Sequence, residues 1–299
     1  MKPSFLVRPD IIPESELIIN KDKTLYHINL GAEHVADNVL LVGDQDRVKT
    51  IGKFFTNIEH HSENREFHAI AGFYNGTRVT ALSTGIGTDN IDIVLNELDA
   101  AVNFDLEKRT SKKELKSLNL IRLGTSGSLQ ENIPVDTHLI SKYGLGFDGV
   151  MHFYDCDYEL DELDLQNEFL KQTNWNLDSA LPYLVRSNNE LFDKLGEGMY
   201  NGITATANGF FGPQGRSVRL GLKKPDLNDK MTNFKHKGLQ ITNYEMETSS
   251  LYGLSAALGH NAVTICAIIA NRFTKSYSKD YKKVVEEMIE LTLQRLTVQ

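Results

Sequence analysis

The feature that most restricts the fold of this chain is a repeated alternation. Short apolar, β-branched runs end in small or polar residues and lead into segments of helical period. Asn38 to Gly43 is one such run, followed by a helix candidate through Val48, Ile51 and Phe54 to Phe55. Arg78 to Gly87 is a second, and after it Ile91, Val94, Leu95 and Leu98 recur at helical spacing, placing one stripe against a sheet. Further strand candidates are Leu118 to Leu123, Thr137 to Leu145, Gly202 to Ala207, Leu239 to Tyr244 and Ala262 to Ala270. Helices are expected at Thr248 to Leu258 and at Lys279 to Leu296, the latter with Tyr281, Val284, Val285, Met288 and Leu291 on one face. Strands and helices in turn specify an α/β protein with a largely parallel sheet. No repeat, low-complexity tract or linker divides the 299 residues, so a single domain is expected.

Composition narrows the function classes. A hydrophobic fraction of 40% with 24% charged residues is that of a folded, water-soluble protein. The formal net charge of -8 argues against a nucleic-acid partner, which would require a basic surface. The two cysteines, Cys156 and Cys266, are far apart and in no metal-like spacing, which fits a reducing compartment and inert thiols. Met1 to Asn20 mixes prolines and charges with short apolar runs, unlike a signal peptide, and no segment reaches transmembrane length. No membrane partner and a cytoplasmic location are the expectation. Two polar stretches, Asp105 to Lys116 and the acidic Asp155 to Asp164, read as solvated surface excursions.

Ligands of open α/β sheets usually sit at strand ends, where backbone N–H groups and helix dipoles are exposed. After the first strand comes Gly43-Asp44-Gln45-Asp46-Arg47; after the third, Gly124-Thr125-Ser126-Gly127 reads as a turn, preceded by Arg122. Such turns, with arginine forks, can converge on an anion, although taken alone plain turn geometry is the commoner role of a glycine-rich turn and a surface ion pair that of a lone arginine. Arg65, in Asn64-Arg65-Glu66-Phe67, reads by itself as a surface charge. In Asn243-Tyr244-Glu245-Met246-Glu247, the two glutamates share a face only if the chain there is extended. A carboxylate could then hold a sugar diol; the alternative is that one of them favours the dipole of the following helix.

Taken in order, these pieces resemble the uridine phosphorylases of the nucleoside phosphorylase superfamily. The matching stretches are Tyr26 to Leu30, Gly43 to Val48, Arg65 to Phe67, Ser83 to Gly87, Arg122 to Gly127, Phe210 to Arg216, Asn243 to Glu247, and Asn271-Arg272. The resemblance implies a three-layer α/β/α domain around a central mixed, partly barrel-like sheet. It implies a phosphate site of Gly43, Arg47, Arg122 and Thr125, with Arg65 from a neighbouring subunit. The ribose site would comprise Thr125, Glu245, Met246 and Glu247, with His27 from the neighbour. The base site would comprise Phe210, Gln214, Arg216 and Arg272.

The activity so implied is phosphorolysis of uridine to uracil and ribose 1-phosphate, with Arg122, Thr125, Glu247, Gln214 and Arg216 carrying the chemistry. Inorganic phosphate is then a co-substrate and no cofactor is required. A monovalent cation stays open, because the family's occasional ion site matches Glu66 but has a serine where this chain has Asn90. Purine-cleaving relatives usually carry a Ser-Asp pair where this chain reads Asn271-Arg272, which weighs against a purine nucleoside phosphorylase. A nucleosidase on the same fold and a catalytically silent nucleoside-binding protein are the other readings. Departures from the pattern are Gln45 in place of a usual proline, the Gly212-Pro213 order, and Gly215 where an acid is common. A homo-oligomer follows from the shared sites, with a dimer as its minimum and a hexamer as the larger option.

Overall fold

The computed structural model describes residues 1–3, 11–175 and 178–297; residues 4–10, part of the N-terminal stretch considered above, lie outside that set. The first half runs β1 (Asn38–Val42), α1 (Gln45–Gly52), β2 (Asn57–Asn64), β3 (Phe67–Tyr74), β4 (Thr77–Ser83), α2 (Thr88–Asn103) and β5 (Asn119–Ser128). The second runs β6 (His138–Gly146), α3 (Leu160–Thr173), β7 (Tyr183–Arg186), α4 (Asn189–Leu195), β8 (Tyr200–Thr206), α5 (Leu227–Asn233), β9 (Leu239–Glu245), α6 (Thr248–Leu258), β10 (Asn261–Asn271) and α7 (Tyr281–Thr297).

The long strands lie in the order β9-β8-β6-β10-β5-β1-β4-β3-β2, and β9 pairs back onto β5. Strands β5, β10, β6, β8 and β9 thereby close into a ring of parallel and antiparallel pairs, while β1, β4, β3 and β2 extend from it as an open arm. This is the mixed, partly barrel-like sheet that the resemblance implies. The two-residue period of a strand then sorts the core into layers. Val39 and Leu41 pack with Ile91, Val94 and Leu98 of α2, whereas Leu40 and Val42 pack with Val48 and Ile51 of α1 and Met288 of α7. A further cluster joins Leu165 and Phe169 of α3 and Met231 of α5 to Leu145, Ile203 and Ile241 of the ring.

Register decides which segments meet. Val42 at the end of β1 pairs with Ser83 at the end of β4 and with Leu123 in β5. The turn after β1, the loop after β4 and the Arg122 region are therefore side by side.

Several expectations change. Gly124 to Gly127 is not a turn: β5 runs through it to Ser128, because β10 on one side and β9 on the other extend its ladder. Its N–H groups serve the sheet, and the small residues let the strand bend where the ring closes. The helix after β1 ends at Gly52 rather than Phe55. The acidic stretch at 155–164 contains the start of α3, and Glu162 within it is buried, accepting hydrogen bonds from Glu159 N (2.8 Å) and Arg186 N (3.0 Å). The rest of the stretch lies at the surface as expected; Glu162 departs from that reading because helix capping consumes its carboxylate. The stretch at 105–116 does lie on the surface, where Arg109 donates to the carbonyls of Ile12 (2.6 Å) and Pro13 (3.0 Å). Among the described residues, no helix is long and apolar enough to cross a membrane.

Candidate active site

Arg122 is the centre of the site. It lies in β5, almost wholly buried, with Nη2 on Glu247 and Nη1 at 3.3 Å from Glu245. Burial works against its charge, but the Glu247 and Glu245 carboxylates outweigh that and raise its pKa. A Cβ at position 124 would fall 2.0 Å from Arg122 Nη1, so glycine is required for the guanidinium to lie where it does. Cys266, across the ladder from Gly124, approaches Arg122 Nη1 at 3.9 Å; burial pushes its thiol up to about 12, consistent with the inert role expected of it.

The two glutamates converge because the chain stays extended through Glu245 and α6 begins only at Thr248. Their partners then differ. Glu245 caps α6, accepting from Thr248 N (2.9 Å) and Glu247 N (2.9 Å), and also takes the Thr206 hydroxyl at 2.7 Å. Burial raises its pKa, with Arg122 opposing and Glu247 adding to the rise. Glu247 accepts from Gly87 N at 2.8 Å and pairs with Arg122. Gly87 has φ +101°, a conformation that suits glycine and aims its N–H at that carboxylate.

Arg47 completes the cationic side. Asp44 caps α1 by accepting from Arg47 N (2.8 Å) and pairs with Arg47 Nη2 (2.8 Å), while Nη1 donates to Leu123 O at 3.0 Å. Burial lowers its pKa; Asp44 counters this and the nearby Arg122 adds to it. Gly43, in the turn that leads to Arg47, and Thr125, three residues after Arg122 in β5, are both half-buried. Met246 sits, half-buried, between the glutamates.

Arg65 and His27 form a second group. Arg65 is exposed in the turn between β2 and β3, with φ +54° and its guanidinium directed to Tyr26, whose hydroxyl it meets at 3.3 Å. Asn64 donates to the carbonyls of Tyr26 (2.9 Å) and His27 (2.8 Å), and His27 Nδ1 lies 2.6 Å from Glu97. The two residues expected from a neighbouring subunit thus occupy one patch of this chain, and among the described residues no hydrogen bond or ion pair joins either to Arg122. Glu66 and Asn90 both flank Gly85, in the loop after β4.

The base-site residues meet at the other side. Gln214 is buried, in a short helical turn that closes at Gly215 with φ +69°. Its Oε1 accepts from Arg216 Nη1, which also donates to Phe210 O at 2.6 Å, and the guanidinium lies 3.9 Å from the Phe210 ring centroid. Burial and the neighbouring Arg272 lower the Arg216 pKa. Arg272 lies over the Tyr244 ring at 5.4 Å, and its buried Nη1 has no hydrogen-bond partner among the described residues. Phe210 is 52% exposed, so it is an open platform and not a core residue.

Sequence reasoning missed the supports. Thr206 donates to Glu245 and accepts from Ser249 N at 2.9 Å; Ser249 Oγ donates to Asp148 at 2.8 Å, and Tyr183 donates to the same carboxylate at 2.9 Å. Glu97, which holds His27 from α2, was also missed. None of them carries a local motif, and only the fold brings it to the site.

With this geometry in hand, the chain can be placed among known proteins. The sequence model described as the phosphorylase superfamily matches residues 37–297, and the chain belongs to that superfamily. It is 28% identical over 264 residues to a uridine phosphorylase of Thermococcus kodakarensis, covering 86% of this chain and 81% of the relative. It is 26% identical to a DeoD-type purine nucleoside phosphorylase of Bacillus velezensis, covering 89% and 97%. A crystal structure of a Trypanosoma brucei nucleoside phosphorylase, described as showing uridine phosphorylase activity, superimposes with a TM-score of 0.85 at 29% identity, covering 94% of this chain and 99% of that one.

Proposed function

We propose that this chain cleaves uridine with inorganic phosphate, giving uracil and ribose 1-phosphate. One observation carries the reading: buried Arg122 pairs with Glu245 and Glu247 and lies near enough to Arg47 for the two positive charges to oppose each other, which brings cations for an anion and carboxylates for a diol together at one side chain. Phosphate held by Arg47, Arg122 and Thr125 lies next to the sugar whose hydroxyls Glu247 accepts, and it attacks the anomeric carbon as an oxocarbenium-like state develops. Arg65, reaching across from a second copy, adds a further guanidinium, and His27 of that copy takes the 5′-hydroxyl. The functional unit is then at least a dimer. Uracil departs as a delocalised anion between Gln214, Arg216 and Arg272, stacked on Phe210.

Asn271 supports a pyrimidine over a purine substrate. Its amide donates to Gln130 O (2.9 Å) and Ile133 O (2.8 Å) and accepts from Phe273 N and Thr274 N at 2.9 Å. It is committed to shaping the turn, and the next residue, Arg272, carries a guanidinium where purine-cleaving relatives usually carry the acid, so no acid is offered to a purine N7. A Glu66 carboxylate and an Asn90 amide oxygen suit a monovalent cation beside the phosphate loop, and no step in the scheme depends on it. A single catalytic domain working in the cytoplasm fits these substrates.

The test is release of free base from uridine, thymidine, inosine and adenosine, with and without phosphate. Uracil release that requires phosphate is expected; release without it would mean a nucleosidase, and purine-only release would overturn the base site. No release from any substrate would leave a nucleoside-binding protein.

A further inference from the structure

Away from the active site, on the face of the β2–β3 hairpin turned toward α1, three side chains with metal-ligating atoms stand together. Glu63 pairs directly with His68 across the hairpin, and His61, two residues before Glu63, shares its face. His61 Nε2 lies 3.6 Å from Glu63 Oε1, and His68 Nε2 lies 3.7 Å from the same oxygen. One ligand atom from each of the three falls within 4.8 Å of the others. These separations are too long for hydrogen bonds, yet near the spacing of about 3.4 Å between two ligands of a tetrahedral zinc ion.

His68 supplies an independent reason to expect a ligand. It is fully buried, and neither ring nitrogen makes a hydrogen bond among the described residues, although the Gln45 backbone lies nearby. A buried imidazole without a partner is a cost that nothing else in the hairpin offsets. His61 and Glu63 are exposed, so an ion can enter from solvent.

We propose that His61, Glu63 and His68 bind a transition-metal dication of the zinc class, with water in the remaining position. Two imidazoles and one carboxylate favour such an ion over magnesium or calcium. Bound there, it ties β2 to β3 a few residues from the turn that presents Arg65. Its role is to brace that turn rather than to take part in the reaction.

The experiment uses the full chain without a histidine tag, stripped by a chelator and titrated with Co²⁺ as a spectroscopic probe. The expected result is a visible absorption of four- or five-coordinate cobalt that saturates at one equivalent per chain and is displaced by Zn²⁺. It should vanish in His61→Ala and in Glu63→Ala, both surface changes that leave the far-ultraviolet circular dichroism intact, and persist in His34→Ala, which alters the separate stacked pair His34–His60. Zinc should also raise the melting temperature of the parent chain and not that of His61→Ala. Absence of the cobalt band in the parent, or an undiminished band in both hairpin variants, overturns the proposal. Neither readout involves nucleoside turnover, so the result stands apart from the fate of the uridine reading.

Discussion

The Arg122 centre and the Phe210–Arg216 loop serve one proposed reaction but are built in opposite ways. Arg122, Glu245 and Glu247 lie on or just beyond the strands that close the ring, each nearly inaccessible and each held by partners from several elements. The loop stands on an exposed turn in which only Gln214 is buried, and its order comes from Arg216 reaching back to Phe210 and Gln214. On the proposed reading, the residues for phosphate and ribose are fixed in the sheet, and those for the base are placed in a loop that can change without disturbing the core. If that contrast is right, substitutions at the centre should lose activity and stability together, and those in the loop should lose activity alone.

Arg122→Ala is the sharpest way to break the comparison. It leaves Glu245 and Glu247 buried without their cation, which should cost about 3 to 5 kcal/mol of stability. Phosphorolysis should fall by on the order of 10³-fold or more through loss of a charge donor to phosphate. Thermal melting and phosphate-dependent uracil release measure the two, and near-normal turnover would remove Arg122 from the phosphate site. Glu247→Gln is the next step down: it keeps shape and the Gly87 hydrogen bond but gives up the charge opposite Arg122. Activity on uridine should drop by on the order of 10²-fold, and 2′-deoxyuridine, with one hydroxyl fewer for the carboxylate, should suffer less.

The contrast also explains which parts were legible beforehand. Strand β1, helix α6 and the stripe of α2 are visible because apolar periodicity survives wherever both faces of the sheet are covered. The β2–β3 hairpin was not, since β2 reads as a polar run, Asn57 to Asn64, whose pairing partner decides its conformation. The Gly124 to Gly127 segment looked like a turn because glycine and threonine are ambiguous locally, and the ladders that make it a strand come from residues far along the chain, Tyr244 and Cys266 to Ala270. At the site, arginines and glutamates in characteristic order were readable through the resemblance. Thr206, Asp148 and Glu97 carried no local signal, since what makes them matter is the side chain they meet in space.

In the loop, Gln214→Ala sharpens the comparison. Removing the side chain takes away the acceptor for Arg216 and the group proposed to read the uracil edge. Uridine kcat/KM should fall by on the order of 10²-fold, as when a site loses a hydrogen bond to the substrate that it was built to make. Gln214 is buried, but its side chain bonds within the exposed turn, to Arg216, so the melting temperature should fall far less than in Arg122→Ala. A large drop in melting temperature would mean that the loop is part of the structural core after all.

Phe210→Ala should have the smallest effect and is the most discriminating for the proposed role of the ring. Phe210 is half exposed and touches Phe211 edge-on at 5.2 Å and the Arg216 guanidinium at 3.9 Å, so truncation opens no cavity. What it removes is a stacking surface, worth about 0.5 to 1.5 kcal/mol for an aromatic pair, or roughly a 2- to 13-fold rise in KM. If the ring only stacks, kcat should hardly change, because base and transition state lose the same contact. A fall in kcat with KM unchanged would instead mean that Phe210 acts through Arg216, fixing the guanidinium that meets the leaving base. The loop would then be doing catalytic positioning, and the division between a fixed centre and an interchangeable loop would fail at this residue.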